Sequence, residues 1–212
     1  TDTPLPEPQL EPRALPDEID FLVEHAARYL TKDPTESDVL SVYAGLRPLV
    51  KAGDGKDTSK LSRNHRIVVS DSGLVTITGG KWTTCRKMAE DTIDRAAKVG
   101  GLERKPEATR DLKLHGWTSA DDEDANWPGY GSDAEGLKDL IGKHPEWNEP
   151  LHPELPLRAA DVVWAVRHEM ARDLEDILSR RTRALLLDAK ASIEIAPRVA
   201  EIAARELKRK AD

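Results

Sequence analysis

Residues 72–91, SGLVTITGGKWTTCRKMAED, set two glycines and a lysine between a stretch that alternates like a strand and one that repeats like a helix. Leu74, Val75 and Ile77 stand among Thr76 and Thr78, a β-favouring company. Cys85, Met88, Ala89, Thr92 and Ala96 recur on one helical face. Gly79 and Gly80 remove side chains where the strand ends, so a planar or phosphorylated ligand can touch the backbone. The helix that follows offers N–H groups and the positive end of its dipole. Lys81 adds a full positive charge, and Thr83 and Thr84 add hydroxyl donors. A group that becomes anionic during a reaction is stabilised in such a place. The pyrimidine edge of a flavin is one, because two-electron reduction leaves negative charge near N1 and O2. The same residues also fit a plain tight turn with Thr83 or Thr84 as cap and Lys81 in solvent, since short glycine motifs recur without function.

A second feature weighs toward an anion. Between Arg47 and Arg66 stand six basic residues (47, 51, 56, 60, 63, 66) and two acidic ones (54, 57), a local charge of +4 in a chain of −7. Arg47 precedes Pro48, which restrains its backbone just after Gly45. Arginine grips a phosphate in a planar, bidentate manner, while lysine acts as a point charge. A solvated basic loop accounts for Lys51, Lys56 and Lys60; it accounts less well for Arg47 and Arg63, which flank strand-like segments. His65 stands close enough to Arg63 to act on a substrate hydroxyl, or else is structural. No histidines share metal-ligand spacing, and no metal site is expected.

Other elements must position these groups. Asp17 is placed to cap a helix over residues 18–30, with Ile19, Leu22, Val23, Ala26, Tyr29 and Leu30 on its apolar face. Val39–Tyr43 reads as a strand, and 51–60 as a loop. Arg66–Ser70 and 73–78 form a hairpin around Ser70-Asp71-Ser72-Gly73. The helix from Trp82 stops at Gly100-Gly101, where a domain boundary is expected. Residues 102–157 are poor in apolar groups, with a short strand at Asp111–His115 and Trp117, Trp127 and Trp147 as anchors. From Leu157 the pattern is helical, and Pro197 is suited to opening the last helix. The fold class is therefore α+β: residues 1–100 as one domain and 101–212 as a mostly α-helical C-terminal domain.

A net charge of −7 argues against nucleic acid as partner. No apolar run approaches the roughly 20 residues that cross a bilayer, and a single cysteine excludes an internal disulfide and suits a reducing compartment. The start at Thr-Asp-Thr-Pro, without methionine or signal pattern, is expected of an excised fragment.

Together YAGLRPLV, SKLSRNHRIVVSDSGLVTITGGKWTT and EMARDLEDILSRRTRALLLDA resemble the C-terminal half of the FAD-dependent glycerol-3-phosphate dehydrogenases, within the D-amino-acid-oxidase-like flavoproteins. The resemblance is weakest over 102–157. It implies oxidation of sn-glycerol 3-phosphate to dihydroxyacetone phosphate by hydride transfer to FAD, with electrons passing to membrane quinone. It places Arg47, Arg63 and Lys81 as substrate-binding cations, Arg47 and Lys81 as catalytic, and Gly79, Gly80, Lys81, Trp82 and Thr83 against the flavin. Residues 1–100 then become part of the FAD- and substrate-binding domain. The resemblance further implies a cytoplasmic protein, peripheral at the inner face of the cell membrane, and allows a homo-oligomer. Cys85 departs from a tyrosine in the family pattern and is expected to pack. The dinucleotide-binding Gly-x-Gly-x-x-Gly is absent from these residues, so the chain alone is expected to bind FAD weakly or not at all and to be inactive. Two alternatives stand beside this reading: a non-catalytic helical interaction module, and an oxygen-using glycerol-3-phosphate oxidase.

Overall fold

The computed structural model describes residues 1, 3–46, 65–119, 124 and 127–209, and within them the class is α+β, with two small antiparallel sheets among helices. The chain divides into two compact units, Thr1–Pro12 with Gly45–Leu114, and Arg13–Ala44 with His115–Asp212. The expected boundary after residue 100 falls inside the first of these. The expected loop at 51–60 lies outside the described residues.

In the first unit, β1 (Arg66–Val69) pairs antiparallel with β2 (Val75–Thr78), Arg66 opposite Thr78 and Val69 opposite Val75. Gly73, at φ +84°, turns the chain between them, and its N–H donates to the Ser70 carbonyl at 2.9 Å. The hairpin is thus where the alternation placed it. One 3₁₀ turn, Trp82–Thr84, leads into α2 (Cys85–Val99). Leu102 N–H donates to the Ala97 carbonyl at 2.9 Å while Gly101 adopts φ +65°, so the glycine pair closes the helix as expected. The strand expected at Asp111–His115 does not form. Leu112 N–H turns back to the Thr109 carbonyl, and no described segment runs beside it as a ladder partner. Side-chain pairs tie the 102–114 arm to α2 instead, Arg104 to Asp94 at 2.6 Å and Arg86 to Glu107 at 3.1 Å.

The second unit begins with α1 (Pro16–Ala27). Proline occupies its first position and Leu15 its cap; the Glu18 carboxylate reaches back to accept from Leu15 N–H at 3.0 Å. Asp17 is therefore inside the helix and is not its cap, because Pro16 presets the helical φ one residue earlier. The expected strand at Val39–Tyr43 is also not a strand. Its backbone is satisfied elsewhere: Ala189 N–H donates to the Leu40 carbonyl at 3.0 Å, and the Ser41 hydroxyl donates to the Leu185 carbonyl at 2.7 Å.

The core of this unit lies between Trp127 and Ala204. It is built from α3 (Ala134–Lys143), a β3–β4 hairpin (Pro150–His152, Leu155–Arg158), α4 (Ala159–His168), a π-helical turn (Asp176–Arg181), α5 (Ala184–Leu187) and α6 (Ala189–Leu207). Val162, Val163 and Ala165 of α4 meet Ile195, Val199 and Ile202 of α6 in one apolar cluster. Of the three expected tryptophan anchors, Trp127 is buried and Trp147 packs against the core, while Trp117 is half exposed. Pro197 does not open a helix; it sits inside α6, whose cap is Asp188, accepting from Ala191 N–H at 3.0 Å. The apolar face running from Ala191 to Ala204 favours one continuous helix, and this outweighs the hydrogen bond that Pro197 forgoes.

Candidate functional site

The turn at 79–84 has the geometry of a strand end bent into a helix start. Gly79 and Gly80 both take left-handed backbone, φ +76° and +81°, which only glycine adopts without strain. At Gly80 there is a second reason. A Cβ there would lie 2.4 Å from Met88 Sδ and 3.3 Å from His65 Cβ, so the missing side chain lets α2 and the head of β1 close over the turn. Within the described residues the glycine at 80 thus serves packing.

Lys81 is extended, φ −131°, and caps the 3₁₀ turn through its backbone. Its N–H donates to Thr84 Oγ1 at 3.2 Å, and the Thr84 hydroxyl donates to the Lys81 carbonyl at 2.9 Å. The threonine that serves the cap is therefore Thr84, while Lys81 and Thr83 keep exposed side chains. Trp82 is 89% exposed, an unusual position for an indole. The turn thus presents an ammonium, a hydroxyl and an aromatic face together at the positive end of a 15-residue helix.

His65 is held rather than poised. Its Nε2 lies 2.9 Å from Asp91 Oδ2, and Asp91 also meets Lys87 at 2.9 Å. The Lys87 ammonium, and then His65, keep the Asp91 carboxyl below its usual range despite some desolvation. Nothing in the sequence linked residues 26 positions apart; Asp91 is the partner that sequence reasoning missed. Cys85, expected to pack, is exposed at the first position of α2. Ile77, Met88, Thr92 and Ile93 join it around a shallow apolar hollow. Arg47 and Arg63 lie outside the described residues.

The second unit holds a buried polar group that the sequence did not flag. The Tyr130 hydroxyl donates to Asp161 Oδ1 at 2.8 Å, and Arg158 N–H donates to Asp161 Oδ2 at 2.6 Å. Burial pushes both the Asp161 carboxyl and the Tyr130 phenol above their ordinary ranges. The Arg158 guanidinium lies 4.3 Å from the centre of the Trp127 ring. These contacts fasten the 127–133 turn to the start of α4, which is a structural task. Among the described residues no group of histidine, cysteine and carboxylate side chains is arranged to hold a metal.

The model of the family described as the C-terminal domain of alpha-glycerophosphate oxidase matches residues 75–212. The chain is 38% identical over 221 residues to a probable mitochondrial glycerol-3-phosphate dehydrogenase of Caenorhabditis elegans, covering 93% of this chain and 30% of that protein. It is 37% identical over 213 residues to the mitochondrial glycerol-3-phosphate dehydrogenase of Mus musculus, covering 90% and 29%. With the mitochondrial glycerol-3-phosphate dehydrogenase of Arabidopsis thaliana it shares 34% over 237 residues, covering 97% and 37%. The chain therefore spans about 30% of the length of the first relatives, and the likeness extends beyond the matched domain into residues 1–74.

Proposed function

Since the chain belongs to the family of the C-terminal domain of alpha-glycerophosphate oxidase, we propose that it serves within an FAD-dependent oxidoreductase that converts sn-glycerol 3-phosphate to dihydroxyacetone phosphate. The observation that carries this reading is the likeness to glycerol-3-phosphate dehydrogenases over 90% or more of the chain, through the turn at 79–84.

The turn's chemistry supports the same reading. The exposed Lys81 ammonium, the Thr83 hydroxyl and the N-terminus of α2 suit the edge of a flavin that gains negative charge, so Gly79, Gly80, Lys81, Trp82 and Thr83 are the residues proposed to hold FAD. When bound, FAD would accept the hydride from C2 of the substrate. Arg47 and Arg63 grip the phosphate and Lys81 orients the hydroxyls. Arg47 and Lys81 thereby act at the reacting end of the substrate. His65, engaged with Asp91, positions the start of β1 beside the turn.

Quinone is the proposed electron acceptor, favoured over oxygen by the dehydrogenase names of the relatives. No helix among the described residues is long and apolar enough to cross a membrane, which fits peripheral contact with the membrane that holds the quinone. The relatives are named as mitochondrial; the cytoplasmic placement and the homo-oligomer belong to the proposal alone.

Adding glycerol 3-phosphate anaerobically to the full-length protein tests this. Bleaching of the visible flavin band, restored by a ubiquinone analogue, is expected. A band that stays unchanged would overturn the reading.

A further inference from the structure

The direction in which Lys81 leaves its turn is not fixed by the two residues before it. Gly79 and Gly80, at φ +76° and +81°, have no Cβ to limit their rotation, so their shape depends on what packs against them. Two side chains pack against Gly80. Met88 reaches it from α2, and His65 Cβ lies 3.3 Å from the point a Gly80 Cβ would occupy. The β1–β2 ladder ends at Arg66 opposite Thr78, one residue short of His65. The imidazole is held by α2 instead, with Nε2 2.9 Å from Asp91 Oδ2. The Asp91 carboxyl is kept below its usual range, so at neutral pH it is a carboxylate that accepts, and the imidazole donates. Lys87 meets the other carboxylate oxygen at 2.9 Å and Glu90 at 3.0 Å, which fixes Asp91 in turn. The imidazole is 22% exposed and the carboxylate 32%, so water competes only in part for their bond. On its other side Lys81 is anchored by Thr84, which engages both its N–H and its carbonyl.

We infer, on the functional reading above, that His65 and Asp91 are positioning residues for Lys81. Their hydrogen bond keeps the imidazole against Gly80, and the glycine held in this way directs the next residue, so that the Lys81 ammonium stands where the substrate oxygens arrive. Neither residue touches the substrate, and His65 takes no proton from it.

The experiment measures kcat/KM for glycerol 3-phosphate, per bound flavin, in the full-length protein. Asp91→Ala leaves the imidazole in place and removes its partner; His65→Leu keeps a similar bulk and removes the donor. Each is expected to lower kcat/KM by roughly 10-fold, no more than the removal of Lys81 itself. In a Lys81→Ala background each is expected to lower it by no more than about 2-fold, because no ammonium is left to position. A general weakening of the fold would act alike in both backgrounds. His65→Gln, whose amide still donates to Asp91 but cannot serve as a base, is expected to recover most of the His65→Leu loss. Should His65→Leu not fold, Asp91→Ala in the two backgrounds decides the matter. An undiminished Asp91→Ala, equal losses with and without Lys81, or a His65→Gln as slow as His65→Leu would each overturn the inference. A normal rate in Lys81→Ala alone would remove the functional reading and the inference with it, whereas a low rate there with equal losses in both backgrounds removes the inference only.

Discussion

At Gly80 two independent constraints meet, a left-handed backbone and a Met88 sulfur 2.4 Å from where a Cβ would sit. Gly80→Ala is expected to destabilise the protein by about 1–3 kcal/mol, the usual cost of a residue forced into such backbone. Gly45→Ala, with open space around it, should change stability by less than about 0.5 kcal/mol. Thermal unfolding of the two variants checks both. Asp161 allows a test by pH. Its folded carboxyl titrates above the unfolded one, so the folded state binds the extra proton first. Wild type should then gain stability over Asp161→Asn as pH falls from neutral toward the ordinary aspartate range, and lose that gain as pH rises again. Denaturant unfolding at several pH values reads the slope, and a slope of opposite sign contradicts the assignment. Sequence could name the turn at the glycine pair, because glycine alone takes its left-handed backbone without strain. It could not find Asp91 or the Tyr130–Asp161 contact, because those pairings are made by tertiary packing across 26 and 31 residues.

Elements read well where a local signal was complete. The β1–β2 hairpin had alternation on both sides of a Gly-containing turn, and α2 had its closing glycine pair. The misread elements lacked half of such a signal. Val39–Tyr43 has strand composition but finds its hydrogen-bond partners at the ends of α5 and α6. Pro197 resembles a helix opener, yet a longer apolar face, with Asp188 as cap, carries α6 through it. Pro197 is exposed, so replacing it disturbs no core contact. Pro197→Ala should stabilise the protein by up to about 3 kcal/mol, because a backbone N–H returns to the helix interior. A higher denaturant midpoint with unchanged slope is the expected result; an unchanged or lower midpoint would contradict it.

Among the described residues every buried side chain lies in the second unit, while the turn at 79–84 lies in the first. Composition gave no warning of this division, because apolar residues are spread along the entire chain. Titrating the 212-residue chain with FAD should accordingly give no saturable fluorescence change below high micromolar, and tight binding would contradict the view that the adenine and pyrophosphate are held elsewhere. The central proposal is that Arg47 and Lys81, cations from separate segments of the sequence, both serve a phosphorylated alcohol as substrate. The most direct test is kcat/KM for glycerol 3-phosphate in the full-length protein carrying Lys81→Ala or Arg47→Ala. Each lost charged hydrogen bond is worth about 1.5–3 kcal/mol, so a fall of roughly 10- to 150-fold is expected for each; values equal to wild type in both variants would contradict the account.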